Sequence, residues 1–338
     1  DSDQIFGTHT NFPVLFTLDN DSSLKSSDVQ DNGGDIRFTS DGLDQLSYEI
    51  EYFDKDDGDL IAWVKYPSLS NATTNLLHLH YEADQTVSHN GIKLLDTWDD
   101  IYESVLHLNQ TSPTHTSDPL IFATGKGAYV DSSYGNNGTD HNSNNFGTGG
   151  GLTASKAPTT TPIADGRIGF AAEFDGDNDF ICIDTQRGDC NNDVNSTYDA
   201  EIDQRTISFW FSPDILPEWT GDEDAYAGVS MLYEEGGAVN GLNMYINGTK
   251  FVGGAWSESN PYRWNGSWVT SEKTLVAGSW YFAAMVFDNP TLKIYLDGEL
   301  AGEISVETDI APGHSGDDGL GAVIKASKVM YPGWDTPP

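Results

Sequence analysis

Apolar residues recur with a period of two along much of the chain, most clearly over 278–302, GSWYFAAMVFDNPTLKIYLDGELAG. Trp280, Phe282, Ala284 and Val286 alternate with Tyr281, Ala283, Met285 and Phe287; Asp288-Asn289-Pro290 breaks the run, and Leu292, Ile294 and Leu296 resume it. This alternation predicts strands, and Asp297-Gly298 supplies the left-handed backbone of a tight hairpin turn before Leu300. The stretch reads as a meander. Its first strand is apolar on both faces, which predicts one face against an opposing sheet and the other under loops.

The first hundred residues repeat the pattern in shorter pieces. Residues 11–18 form an apolar strand with Pro13 near its start, where the missing N–H costs no ladder bond. A turn at 31–35 feeds a strand ending at Thr39, and in 46–53 Leu46, Tyr48, Ile50 and Tyr52 share one face. Strands at 60–66, after the Asp56-Asp57-Gly58 turn, and at 76–81 complete a small all-β sandwich. In 96–108, DTWDDIYESVLHL, the spacing of Trp98, Ile101, Tyr102, Val105 and Leu106 fits a short helix, while 104–108 also fits a strand. The domain boundary is placed here, giving 1–100 as a small sandwich and 101–338 as a second all-β domain. The Thr/Ser/Pro-rich 109–126 and the Gly/Asn-rich 140–161 are expected to be surface loops.

Composition agrees with a folded β-protein: 37% hydrophobic, 12% aromatic, and 35 Gly against 4 Met in 338 residues. With 53 acidic and 16 basic residues the net charge is −37, which repels nucleic acid and anionic membrane surfaces. That acidity fits divalent-cation binding or a salty habitat, and equally a surface charged for solubility. No apolar run reaches the length of a membrane span and no signal peptide is evident, so membrane insertion is not expected. A start at Asp1 fits a processed product or a piece of a longer one. Cys182 and Cys190 are expected to close a short loop as a disulfide. Acceptor sequons stand at Asn20, Asn71, Asn109, Asn137, Asn195, Asn247 and Asn265, and tilt the reading toward an extracellular glycoprotein.

The 278–302 meander resembles the closing strands of laminin-G-like, concanavalin A-type jelly-roll domains. Tyr129 to Gly138 (YVDSSYGNNG), Gly169 to Phe180 (GFAAEFDGDNDF) and Arg205 to Pro213 (RTISFWFSP) resemble further segments of that family, in its order. The resemblance covers roughly the last two-thirds of the chain. In the first part, Phe12-Pro-Val-Leu, Gly34-Asp-Ile-Arg-Phe-Thr, Leu46-Ser-Tyr-Glu-Ile-Glu and Ala62-Trp-Val-Lys-Tyr-Pro resemble a second family, an uncharacterised β-sandwich domain. That domain often precedes laminin-G-like modules in prokaryotic surface proteins and occurs beside MotA/TolQ/ExbB-type gene products. Tyr81-Glu-Ala departs from its usual Tyr-Gly-Asn.

The jelly-roll resemblance implies a structural calcium, with Asp131 as the carboxylate carried over; Asn136, Asp175 and Asp177 are further candidates from neighbouring acidic turns. The same carboxylates also suit turns that bond to their own backbone. The family's final Ile-Asp-Glu-Val-Arg strand is absent, which implies either a fragment or a homopolymer completed by β-strand donation into a filament or sheath. Trp256, Tyr262, Trp264 and Trp268 crowd into GGAWSESNPYRWNGSW, where they suit either a glycan platform or core packing. His78 and His80 share a strand face without an identifiable third metal ligand. Glu49-Ile-Glu51 and Asp99-Asp100 carry no special context, and there is no nucleophile elbow, triad order or phosphate loop. The expectation is an extracellular, non-catalytic cell-surface protein of two β-sandwiches, the second a concanavalin A-like jelly roll. It would serve adhesion or assembly by binding glycan or a neighbouring surface protein; a filament subunit and a glycan hydrolase are the alternatives.

Overall fold

The computed structural model describes residues 7–41, 44–81, 97–99, 101–102, 105–108, 127–130, 146–149, 166–174, 180–184, 203–217, 229–236, 240–260, 263–306 and 319–321. Of 127–130, 146–149, 180–184, 236, 240, 257–260 and 263–265 it gives the backbone path. Every regular element among these residues is a strand, as the alternation predicts. The chain divides into two compact units, the first holding 1–107, 131–142 and 164–171, the second 108–130, 143–163 and 172–338.

The first unit contains β1 (Thr8–Leu18), β2 (Arg37–Thr39), β3 (Tyr48–Asp54), β4 (Asp59–Ser70) and β5 (His78–His80), one for each strand expected from sequence. β1, β4 and β3 form an antiparallel sheet in that order, and β2 pairs with β5. Register sets the faces of β3 and β4. Tyr48 lies opposite Val64 and Ile50 opposite Ala62, and Tyr48, Ala62 and Val64 are fully buried against Leu24, Val29, Ile36 and Phe38. Phe38 packs edge-on to both Phe16 and Tyr48, at 5.2 and 5.1 Å between ring centroids. Glu49 lies opposite Trp63, so this polar pair takes the other face of the sheet. Among the described residues of 97–108, 97, 98 and 101 lie in turn or bend, with Tyr102 N bonded to Asp99 O at 3.0 Å, and Leu106 makes an isolated β-bridge; none is in the helix that the spacing allows.

The second unit is built from β6 (Gly127–Val130), β7 (Phe146–Gly149), β8 (Phe180–Asp184), β9 (Gln204–Phe211), β10 (Val229–Gly236), β11 (Asn240–Asn247), β12 (Lys250–Asn260), β13 (Arg263–Thr274), β14 (Tyr281–Asp288), β15 (Thr291–Leu296), β16 (Glu299–Ser305) and β17 (Gly319–Gly321). One sheet runs β13-β12-β11-β10-β17-β8-β7-β6 and the other β16-β15-β14-β9. The meander of 278–302 supplies β14 to β16, and its second turn places Asp297 and Gly298 at φ 53° and 81°. β7 falls inside the tract expected to be a loop; Gly, Thr and Asn leave backbone free to pair, and here it joins β6 to β8.

Between the two sheets lies the main core. Leu242, Met244, Phe251, Ala283, Met285, Leu292 and Ile294 are fully buried in it, each aliphatic side chain contributing about 1.5–3 kcal/mol on leaving water. A polar clamp joins the sheets at one edge: Lys273 Nζ of β13 meets Asp297 Oδ2 at 2.5 Å, and Asp297 Oδ1 accepts the Phe282 N–H at 3.0 Å. Partial burial opposes ionisation of Asp297, but the Lys273 and Phe282 hydrogen bonds prevail and hold its carboxyl below the usual carboxylate range.

Truncating Ile294 to Ala removes a fully buried side chain from between the sheets. A loss of about 2–5 kcal/mol is expected, seen as a lower urea midpoint for the second unit's transition with the first unit's unchanged.

Candidate functional site

The face of the eight-stranded sheet that points away from this core carries an ordered set of polar and aromatic side chains. Glu234 pairs with Asn243 across β10 and β11, Asn243 with Gly254 across β11 and β12, and Gly254 with Trp268 across β12 and β13. Register partners in an antiparallel sheet point the same way, so carboxylate, amide, glycine and indole form one row across four strands. With neighbouring strands about 4.8 Å apart, the row spans roughly 14 Å. A parallel row on the same face runs Gly241, Trp256, Gly266.

Glycine makes the rows lie flat. A Cβ on Gly254 or Gly266 would overlap the Trp268 ring, and one on Gly241 would overlap Trp256. Each indole thus rests over backbone rather than standing off the sheet. Asn243 Oδ1 lies 2.5 Å from where a Gly254 Cβ would be, so amide and indole converge over that glycine. Trp268 Nε1 is itself buried and has no hydrogen-bond partner among the described residues.

Most of the row is covered. Asn243 has no exposed surface and Glu234 almost none, and Trp268 is the half-buried member, so the row reaches the surface at its β13 end. Tyr245 shares this face and is fully buried. Trp256, a candidate stacking platform from sequence, is fully buried as well, and a ring with no exposed surface has no face to offer a sugar. Trp264 lies four positions before Trp268 on β13, opposite Glu258 of β12, while Tyr262 falls outside the described residues.

Which of two successive glutamates faces the row is settled on the core side. Glu235 points between the sheets, where Arg205 Nη2 of β9 stands 3.0 Å from its Oε1 and the Tyr233 hydroxyl donates to its Oε2 at 2.8 Å. Glu235 is fully buried, so a slip of one residue would leave Arg205 without this partner and turn Glu234 inward. A bulge between Met231 and Tyr233 sets the phase that the pairing then holds.

The other sequence candidates are scattered. Asp131, Asn136, Asp175, Asp177, Cys190, Asn109, Asn137 and Asn195 lie outside the described residues. Cys182 sits in β8 opposite Thr148 of β7. Asn20 and Asn71 are exposed, Asn247 is half-buried at the end of β11, and Asn265 pairs with Ser257 on β13. His78 and His80 are exposed, their rings 6.3 Å apart, with His80 Nε2 2.9 Å from Thr39 Oγ1. Among the described residues no group of three or more His, Cys, Asp or Glu side chains is arranged to hold a metal ion. Sequence reading passed over Glu234, Asn243 and Gly254; the alternation of Leu242, Met244 and Ile246 with Asn243 and Tyr245 was the available signal.

Two opposed antiparallel sheets with a shared core and a polar outer face define a jelly roll of the concanavalin A type. Residues 175–331 match the family described as the Concanavalin A-like lectin/glucanases superfamily, and residues 32–112 match a domain of unknown function, DUF2341. No curated protein matches the chain. Among solved structures, domain 4 of AbnA, a GH43 extracellular arabinanase from Geobacillus stearothermophilus in complex with arabinotriose, is similar at 19% identity over 46% of this chain and 64% of that one, with a TM-score of 0.31. Domains LG4-5 of the mouse laminin alpha1 chain align at 12% identity over 40% of this chain and 32% of that one, with a TM-score of 0.28. The CBM40 of the Ruminococcus gnavus IT-sialidase bound to alpha2,3 sialyllactose aligns at 16% identity over 39% of this chain and 71% of that one, also at 0.28. The match spans less than two thirds of the first two of these chains.

Replacing Gly254 with Ala should lift the Trp268 indole from its bed. The expected result is a changed near-ultraviolet circular dichroism signal with a stability loss of about 1–3 kcal/mol, and an unchanged spectrum would show that the ring does not rest there.

Proposed function

We propose that the second unit binds neutral carbohydrate, without turning it over, at the half-exposed Trp268 end of the row that runs from Glu234 through Asn243, and that the whole chain serves adhesion at a cell surface. The observation that carries this is the register row itself. A pyranose or furanose ring offers an apolar C–H face and a rim of hydroxyls. Trp268, the half-exposed member of the row, supplies a π surface for the first, and the buried Asn243 amide and Glu234 carboxylate beneath it hold the polar floor against which the ring is set. A match to a superfamily described by its lectins and glucanases supports the same chemistry.

Charge narrows the ligand class. A carboxylate within the row and a net charge of −37 disfavour sialylated, sulfated and uronic sugars, leaving neutral oligosaccharides. The non-catalytic reading draws support from the carboxylates. Glycoside hydrolysis commonly needs a pair set about 5–10 Å apart, and Glu234 is the one buried carboxylate on this face among residues whose side chains are described. Glu235, its neighbour, lies on the core side in the Arg205 ion pair.

An array of neutral glycans probed with the full chain tests the proposal. Binding is expected at micromolar to millimolar strength, reduced at least about tenfold by Trp268→Ala, which corresponds to about 1.4 kcal/mol, and weakened by Glu234→Gln, with no sugar released over prolonged incubation. Binding indifferent to both substitutions would reject the row as the site, and released product would reject the non-catalytic reading.

A further inference from the structure

The outer face of β3 and β4 in the first unit holds a buried, charged cluster that the proposed carbohydrate site does not use. His107 stands between two carboxylates from alternate positions of β3: its Nδ1 is 3.1 Å from Glu51 Oε2 and its Nε2 is 3.3 Å from Glu49 Oε2. The first distance is that of a direct hydrogen bond; the second is an ion pair whose angle falls outside hydrogen-bond geometry. Each carboxylate is also held by an indole, Glu51 Oε2 accepting from Trp63 Nε1 and Glu49 Oε2 from Trp98 Nε1, both at 2.7 Å. Trp63 stacks on the imidazole with centroids 6.1 Å apart, Trp98 packs at 6.2 Å from it, and Tyr102 meets Trp98 edge-on at 5.1 Å.

This geometry distinguishes the two states of the imidazole. A neutral ring with its lone pair on Nδ1 would turn that lone pair on the Glu51 carboxylate, and in either tautomer it would lose the positive charge that lies against both Glu49 and Glu51. The charged ring keeps its Nδ1–H donor to Glu51 and its attraction to both carboxylates. The side chain of Glu51 is only 2% exposed and that of His107 10%, so water is poorly placed to replace the lost contact.

We propose that His107 is a proton-operated latch, which as the imidazolium holds itself, Trp98 and Tyr102 closed on the outer face of β3 and β4 and on losing its proton lets these residues lift away. The segment is built to lift: Ile101, between the buried Trp98 and the half-buried Tyr102, is 77% exposed. Among the described residues, the charged and titratable groups near the ring are Glu49 and Glu51 from β3 and Asp99 and Tyr102 from the segment; β4 presents Trp63 there, followed on the same face by Lys65. Residues 166–171 approach Glu51 through Gly169, two positions after Arg167. All members of the latch lie within the match to the domain of unknown function at 32–112.

The direction of the pH effect follows. Burial alone would lower the imidazole's affinity for its proton, but the close contact of both Glu49 and Glu51, with their negative charge, outweighs it and raises the pKa from 6.5 to about 9. A folded-state value above the free one means the latch contributes fully below about pH 6.5 and is lost as pH rises through about 9. Burial, with the charge of Asp99 adding to it, holds the Tyr102 hydroxyl above its usual range, so that group stays neutral through this window.

Amide hydrogen exchange of the full chain between pH 6 and 10, corrected for intrinsic rates and read by mass spectrometry, tests the latch. Protection across 97–107 is expected to be full near pH 6, to fall progressively from about pH 6.5, and to have lost on the order of a hundredfold in total by about pH 9–10, while β3 and β4 keep theirs. In His107→Gln that segment should exchange fast at every pH. Protection that survives to pH 10, or a wild-type loss that persists unchanged in His107→Gln, would overturn the proposal. Should the variant fail to fold, the imidazole titrations of the wild-type chain decide it: one of the 8 histidines must titrate near 9, and eight titrations near 6.5 would reject the latch.

Discussion

Strand register is the constraint on which both units depend. Side chains alternate strictly across a sheet, so a slip of one residue sends every inward group outward. β10 makes this acute, because Glu234 and Glu235 are chemically identical and only their phase separates a group in the polar row from one in the core. Hydrophobicity cannot choose between them. The choice is made by Arg205, reaching from the opposite sheet, and by the Tyr233 hydroxyl two residues away. A buried ion pair of this kind contributes little net stability compared with well-packed apolar groups, and its value lies in excluding the alternative phase.

The first unit solves a related problem with its two faces. β3 turns Tyr48 toward an aromatic and aliphatic core, while Glu49 and Glu51 alternate to the other side. An exposed pair of glutamates would need no explanation. Here the face is covered by Trp98, Tyr102 and His107, so two carboxylates are removed from water and must be compensated locally. Among the described residues, two indole N–H groups and one cationic imidazole contribute to that compensation.

Much of the architecture could be read from the chain. The alternation of 278–302 and the Asp297-Gly298 turn located the meander, and five strands in the first unit stand where periodic runs placed them, although a bulge after Ile50 turns Tyr52 away from the face it was expected to share with Tyr48 and brings Phe53 there instead. The chemistry was less legible. Trp256 and Trp268 look equivalent in sequence, yet one is enclosed and the other half-open, a difference set by position across the sheet rather than along it. Glu49 and Glu51 gain their meaning from His107, Trp63 and Trp98, which are brought to them by a turn-rich segment with no period to announce where it docks. Asn243 lay in plain alternation, but its significance needs the partner strands that set Glu234 and Trp268 beside it.

The glycines beneath the two indoles carry a consequence for how such a face could diversify. At Gly241, Gly254 and Gly266 the contour of the site is defined by atoms that are missing, so each position works as a depth setting. A single methyl at Gly266 would meet the Trp268 ring first and raise it, whereas one at Gly254 would also crowd Asn243 Oδ1 and one at Gly241 the Glu235 carbonyl. Ligand preference in chains of this build can thus drift through Gly266 while the hydrogen-bonding inventory of the face stays constant.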